Sequence, residues 1–258
     1  MTRPPSLFIS HGAPTFALEP GLLGPRLTAL GHALHDIKAV LVVSPHWETR
    51  GIRITTTEQP ETLHDFGGFP APLYSLHYPA RGAPALAQDA ADLLRKAGYD
   101  AVLDHERGLD HGAWVPLMHL LPDAQVPVIQ VSMPWDLDTS GALSLGAALA
   151  PLRDRGVVVI GSGSLTHNLC EFRQHDYRDA PYAHEFAAWA RDKVLHKDTA
   201  SLVDYRRRAP HAERAHPSED HYLPLLVALG ASSADDVPSV VEGGMTYGMI
   251  SMDSFVWG

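Results

Sequence analysis

Four short runs of apolar, mostly β-branched residues constrain the architecture more than any other feature of this chain. They are Ser6–Ser10 (SLFIS), Ala39–Ser44 (AVLVVS), Val126–Ser132 (VPVIQVS) and Val157–Gly161 (VVVIG). The runs are largely continuous rather than alternating, which is the pattern of strands covered on both faces by helices. Helical segments fall between and after them: Gly21–Leu34, Ala83–Ala97 with Gly98 as its stop, Ala113–Leu121, and Ser140–Arg155 closed by Gly156. Pro181–Leu195 and Pro217–Leu229 follow, each with proline in its first turn. Weaker strands are expected at Ile52–Thr57, Ala101–Leu103, Val237–Glu242 and Ile250–Val256. This alternation predicts an α/β fold with a central, mostly parallel or mixed sheet and helices on both faces. A single domain over residues 1–258 is the economical reading, because 258 residues suffice for one large core and no repeat or linker interrupts them. The segment Glu58–Pro84 is rich in glycine, proline and aromatics and lacks a period, so it is expected to be a long ordered loop of the kind that covers sites.

Composition excludes several classes. Hydrophobic residues are 45% and charged residues 19%, as in soluble globular proteins. Thirty acids against twenty Lys and Arg give a net charge of −10, so no nucleic-acid partner is expected. No run approaches the length of a membrane span, and the apolar stretch before His11 is too short for the core of a secretory leader, so none is expected. The lone cysteine, Cys170, forbids an intramolecular disulfide, which fits a cytoplasmic protein. Cys170 itself reads as a small buried residue. Gly161–Ser164 (GSGS) lacks the Lys-Ser/Thr ending of a phosphate loop, and there is no GxSxG elbow.

Histidine is the anomaly: there are 16. His11, His46 and His167 each follow a strand, and His221 opens a helix, in SHGAP, SPHWE, SLTHN and SEDHY. Ligands of open α/β sheets bind beyond the carboxyl ends of the strands, so these four are expected to converge there. A helix N-terminus disfavours an imidazolium at His221, and the neutral ring is the form that ligates a metal. Cysteine-based zinc sites are excluded, whereas histidine–carboxylate sites are not. His111, flanked by glycine and tryptophan in an expected loop, is a substrate-side candidate. His119 has the spacing of a structural helix face. His32, His35, His175, His184, His196, His211 and His216 read as surface residues, and His105 is unassigned.

Taken together, SLFISHGAP, VVSPHWETRG, TLHDFGGFP, LDHGAWVPL, GSGSLTHNL and PSEDHYLPLLVALGA resemble the DODA-type branch of the class III, LigB-like extradiol aromatic-ring-opening dioxygenases. The resemblance runs nearly the whole chain, with each motif in the expected order. It implies a non-haem metal held by His11, His46 and His221, with Fe(II) for activity and Zn(II) in some members. It implies that His167 is the acid/base histidine, or a fourth ligand, and that His111 stands near substrate and dioxygen. The substrate would be a catechol, cleaved with O2 beside its diol to a semialdehyde. The wider class uses two histidines and a carboxylate. Here His221 stands at the third position with Asp220 beside it, which leaves Asp220 open as an alternative ligand. His64, Phe66 and Phe69, with Tyr74, either stack on the substrate ring or simply pack the covering loop. Two other readings use the same histidines: a zinc-dependent hydrolase, and a non-enzymatic interaction module of the Memo type. A monomer or small homo-oligomer is expected.

Overall fold

The computed structural model describes residues 3–172 and 178–258. In chain order its elements are β1 (Ser6–Ser10), α1 (Leu23–Ala33), β2 (Ala39–Thr49), β3 (Ile52–Thr55), α2 (Pro84–Lys96), β4 (Ala101–Asp104), α3 (His111–Leu120), β5 (Val128–Pro134), α4 (Thr139–Leu149), β6 (Val157–Gly163) and α5 (Pro181–Leu195). Three short helical turns follow, α6 (Thr199–Val203), α7 (Tyr205–Arg208) and α8 (Ala212–Ala215). The chain closes with α9 (Leu223–Gly230), β7 (Pro238–Val241), β8 (Met245–Thr246), β9 (Ile250–Ser251) and β10 (Ser254–Trp257). Eight strands form one sheet in the order β4-β3-β5-β2-β6-β1-β10-β7. Its centre, β5-β2-β6-β1, is parallel, while β3 and β10 run antiparallel to their inner neighbours, so the sheet is mixed.

The four apolar runs are this parallel centre. Every residue of β1 and β6 is buried, as expected where helices cover both faces. Alternation along β6 separates the two helical layers. The Ser162 hydroxyl reaches Gly112 in α3, whereas Gly161 and Gly163 turn toward Pro224 and His221 at the start of α9. A methyl group on either glycine would overlap the Pro224 or His221 carbonyl oxygen, so glycine is required for this approach.

Several boundaries differ from the sequence reading. The strand expected to stop at Ser44 continues to Thr49 through a bulge: Val43 pairs with Val131 and Glu48 with Met133, so Ser44–Trp47 face only Ser132. The long helix Ser140–Arg155 divides at Leu149 into α4 and a 3-10 turn, Ala150–Arg155, where Pro151 lacks an amide donor. The helix expected from Pro217 begins only at Leu223. Arg153 is fully buried in this turn. Its guanidinium donates to the Pro4, Ala231 and Trp257 carbonyls at 2.7, 2.9 and 3.3 Å and pairs with Asp236 at 2.6 Å. One side chain thereby ties both ends of the chain to the end of α9.

Candidate active site

Parallel strands end together, and that geometry gathers the histidines. His11 follows β1, and its amide donates to Gly163 at the end of β6 (2.9 Å). Its ring Nδ1 lies 3.0 Å from Ser162 Oγ. That hydroxyl spends its proton on Gly112 O, so it accepts from His11, and the imidazole proton sits on Nδ1. Nε2 of His11 is therefore a bare lone pair. His46 rides the β2 bulge, inside the strand rather than after it as the sequence suggested. Arg107 braces the bulge, donating to the His46 carbonyl (3.1 Å) while its guanidinium lies 5.4 Å from the centre of the Trp47 ring. His46 Nε2 stands 3.1 Å from His11 Nε2. His221 precedes α9, and its carbonyl accepts from the Ser164 amide (3.0 Å). Its Nδ1–H donates to Asp220 Oδ2 at 2.5 Å, which leaves Nε2 available.

One ring nitrogen of His11, of His46 and of His221 lie within 4.8 Å of one another. Two of these rings have the opposite nitrogen fixed by Ser162 or Asp220, the arrangement that orients metal-ligating histidines. Burial, then the neighbouring imidazoles, holds His11 well below its ordinary range. Burial and the imidazoles of His111 and His221 likewise push His46 down to about 2. With His11 and His46 held neutral and the outer nitrogens of His11 and His221 occupied, the set fits a transition-metal ion. Asp220, bonded to His221 Nδ1, stands behind its ring. Burial alone would raise its carboxyl, but the His221 hydrogen bond and charge outweigh that and lower it.

His167 hangs on the loop after β6, its amide anchored to Ala215 O (2.8 Å). Its ring stacks on His221 at 3.5 Å and 7°. It groups with Asp220 and His221 rather than with the His11–His46 pair. Burial and His221 push it down to about 3, so it is a neutral proton acceptor at pH 7. His111 is not in a loop: Asp110 caps α3 by accepting from the Ala113 amide (3.1 Å), which makes His111 the first helical residue. Its ring lies 3.9 Å from His46 and 5.6 Å from His11.

Of the covering-loop residues, Phe66 reaches the cluster, edge-on to His111 at 5.7 Å. His64 packs on Phe66 and Trp114 with its Nε2 on Leu76 O, and Phe69 packs on Phe66 (5.5 Å). His119 bonds the Phe16 carbonyl (2.8 Å), as expected of a structural histidine. His32, His35, His184, His196 and His211 are exposed, while His175 lies outside the described residues. Two expectations fail. His216 is not on the surface but fully buried in a box of Phe186, Tyr205 and Tyr222. Cys170 is exposed rather than buried, because the loop after His167 turns outward. The sequence reading missed Ser162, Arg107 and Asp65 as supports of the histidines. Only Asp65 carried a signal, its place beside His64 in TLHDFGGFP.

Residues 26–256 match the family described as the catalytic LigB subunit of aromatic ring-opening dioxygenase. The chain is 38% identical to a 4,5-DOPA dioxygenase extradiol of Beta vulgaris, covering 97% of this chain and 95% of that protein. It is also 38% identical to the 4,5-DOPA dioxygenase extradiol of Escherichia coli K12, over 97% and 93% of the two chains. A crystal structure of an uncharacterized Escherichia coli K12 protein superposes with a TM-score of 0.83 at 33% identity, covering 99% of this chain and 100% of the other. The chain belongs to the LigB family of aromatic ring-opening dioxygenases. Within that class it is an extradiol ring-cleaving enzyme.

Proposed function

We propose that this enzyme opens a catechol-type ring with O2 to a semialdehyde, using a non-haem Fe(II) held by His11, His46 and His221. The observation that carries this reading is the convergence of the imidazoles of His11, His46 and His221 with a fourth, His167, stacked beside them but outside their set. Bound Fe(II) would supply Lewis acidity and the redox capacity to use dioxygen; Zn(II) in the same ligands would supply only the first. Neither the hydrolase nor the interaction-module reading is favoured by the relatives.

The chain's own residues have separable parts. His167, neutral and beside His221, accepts a proton from a catechol hydroxyl and returns it as the ring opens. His111 lies against the cluster beside His46. Phe66 offers an apolar edge to an aromatic ring, and His64 and Phe69 hold Phe66 in place. The relatives' names specify DOPA, and a catechol with a DOPA-like side chain is the first substrate to test.

The test is reconstitution of metal-stripped protein, anaerobically, with Fe(II) or Zn(II), followed by catechols and air. A visible chromophore with iron and none with zinc supports the reading. Turnover with zinc, independent of O2, refutes it. His167→Ala should retain metal and lose turnover; loss of metal from that variant would make His167 a ligand.

A further inference from the structure

The covering loop delivers a carboxylate to one residue of the cluster. Asp65 Oδ1 lies 2.9 Å from the His111 backbone amide and 3.0 Å from its ring Nδ1. The loop stem that carries Asp65 is fixed to the segment before α3. Leu63 and Leu109 share a backbone bond (2.8 Å), the Leu109 amide donates to Glu61 O (2.8 Å), and Trp114 Nε1 donates to Leu63 O (2.8 Å). A neutral imidazole has one N–H, and an ionised carboxylate only accepts. The ring nitrogen of His111 is not aligned into a hydrogen bond with that carboxylate oxygen, so the preference is one of charge. In the neutral ring a proton on Nδ1 is attracted to the carboxylate 3.0 Å away and leaves Nε2 bare, whereas the other tautomer would set a lone pair against Asp65 Oδ1. The His111 ring lies against His46 and His11, with Phe66 of the same loop at its edge.

We propose that Asp65 is a positioning residue that holds His111 as its Nδ1–H tautomer, with Nε2 as acceptor for the bound catechol, so that His111 is competent only when the covering loop is seated. This rests on the dioxygenase reading above. Asp65 acts through His111 and touches no reacting atom. It also lies, with His46 and His111, within metal-ligand range, so ligation by Asp65 is the rival role.

The substitutions Asp65→Asn and Asp65→Ala separate these roles. In the asparagine variant the His111 backbone N–H still fixes the amide oxygen at the Oδ1 position, so the tautomer should persist. In the alanine variant the acceptor is gone. The first readout is long-range proton–nitrogen NMR of 15N-histidine-labelled, zinc-loaded protein, which reports the tautomer of His111 without turnover. Wild type and Asp65→Asn should show Nδ1–H, and Asp65→Ala should lose it. With Fe(II) and a catechol, Asp65→Ala should lower kcat about 10- to 100-fold, leave KM within roughly twofold, and keep wild-type metal content. Asp65→Asn should restore most of kcat. A wild-type tautomer and kcat in Asp65→Ala overturn the proposal, as does loss of its metal, which would make Asp65 a ligand. If Asp65→Ala does not fold, an Nε2–H signal in Asp65→Asn overturns it instead. If the iron-loaded wild type opens no catechol, the dioxygenase reading fails while the tautomer measurement still decides the role of Asp65.

Discussion

The buried histidines make the metal-free enzyme acid-labile, and His216 isolates one share of that effect. His216 is fully buried among Phe186, Tyr205 and Tyr222, at ring separations of 5.3, 6.1 and 5.4 Å. Its Nε2 donates to Leu165 O at 2.9 Å, and Nδ1 has no hydrogen-bond partner among the described residues. Burial pushes it down to about 3 against the pull of that carbonyl, whereas the unfolded chain titrates near 6.5. The unfolded state therefore binds more protons between these values. The stability is fully present above about pH 6.5 and is lost as pH falls toward the folded value. The slope is about 1.4 kcal/mol per pH unit, or about 2 kcal/mol by pH 5. In His216→Phe the box stays filled and nothing titrates, but Leu165 O loses its donor, which costs about 1–3 kcal/mol. The variant should thus be weaker at pH 8 and approach the wild type near pH 5. His11, His46 and His167 steepen both curves alike, since both proteins retain them. Urea unfolding of both metal-free proteins at pH 8, 6.5, 5.5 and 5 measures the gap. A gap independent of pH would refute a neutral buried His216.

Three further outcomes follow from the geometry. Asp220→Ala should weaken metal affinity about 10- to 100-fold by removing the acceptor that holds the His221 ring; chelator competition measures this, and unchanged affinity would refute the orienting role. Arg153→Met should cost about 3–5 kcal/mol, because Asp236 is left without its buried cation. That lowers Tm by about 6–20 °C, read by calorimetry; a shift within about 2 °C would show that the hub carries little. Gly163→Ala should reduce metal content, measured by elemental analysis, because the added methyl overlaps the His221 carbonyl; full occupancy would mean that the start of α9 shifts freely.

The sequence by itself indicated the centre of the sheet and the histidines that the fold brings together. Four continuous apolar runs can be buried only by covering both faces, and they became the parallel centre of the sheet. The motifs around His11, His46 and His221 named the three histidines whose nitrogens converge. Local pattern carried this much because burial periodicity and motif order are properties of the chain. What holds each ring was decided only in three dimensions. Ser162 serves the His11 ring across 151 residues, and Asp65 binds the His111 backbone amide across 46. The bulge that presents His46 is a shift of register between β2 and β5, which no local signal records. His216 and Cys170 were misplaced for the same reason: a polar residue is buried or exposed according to what packs against it. His216 is enclosed by aromatic side chains from α5, α7 and the residue preceding α9, which only the fold brings together.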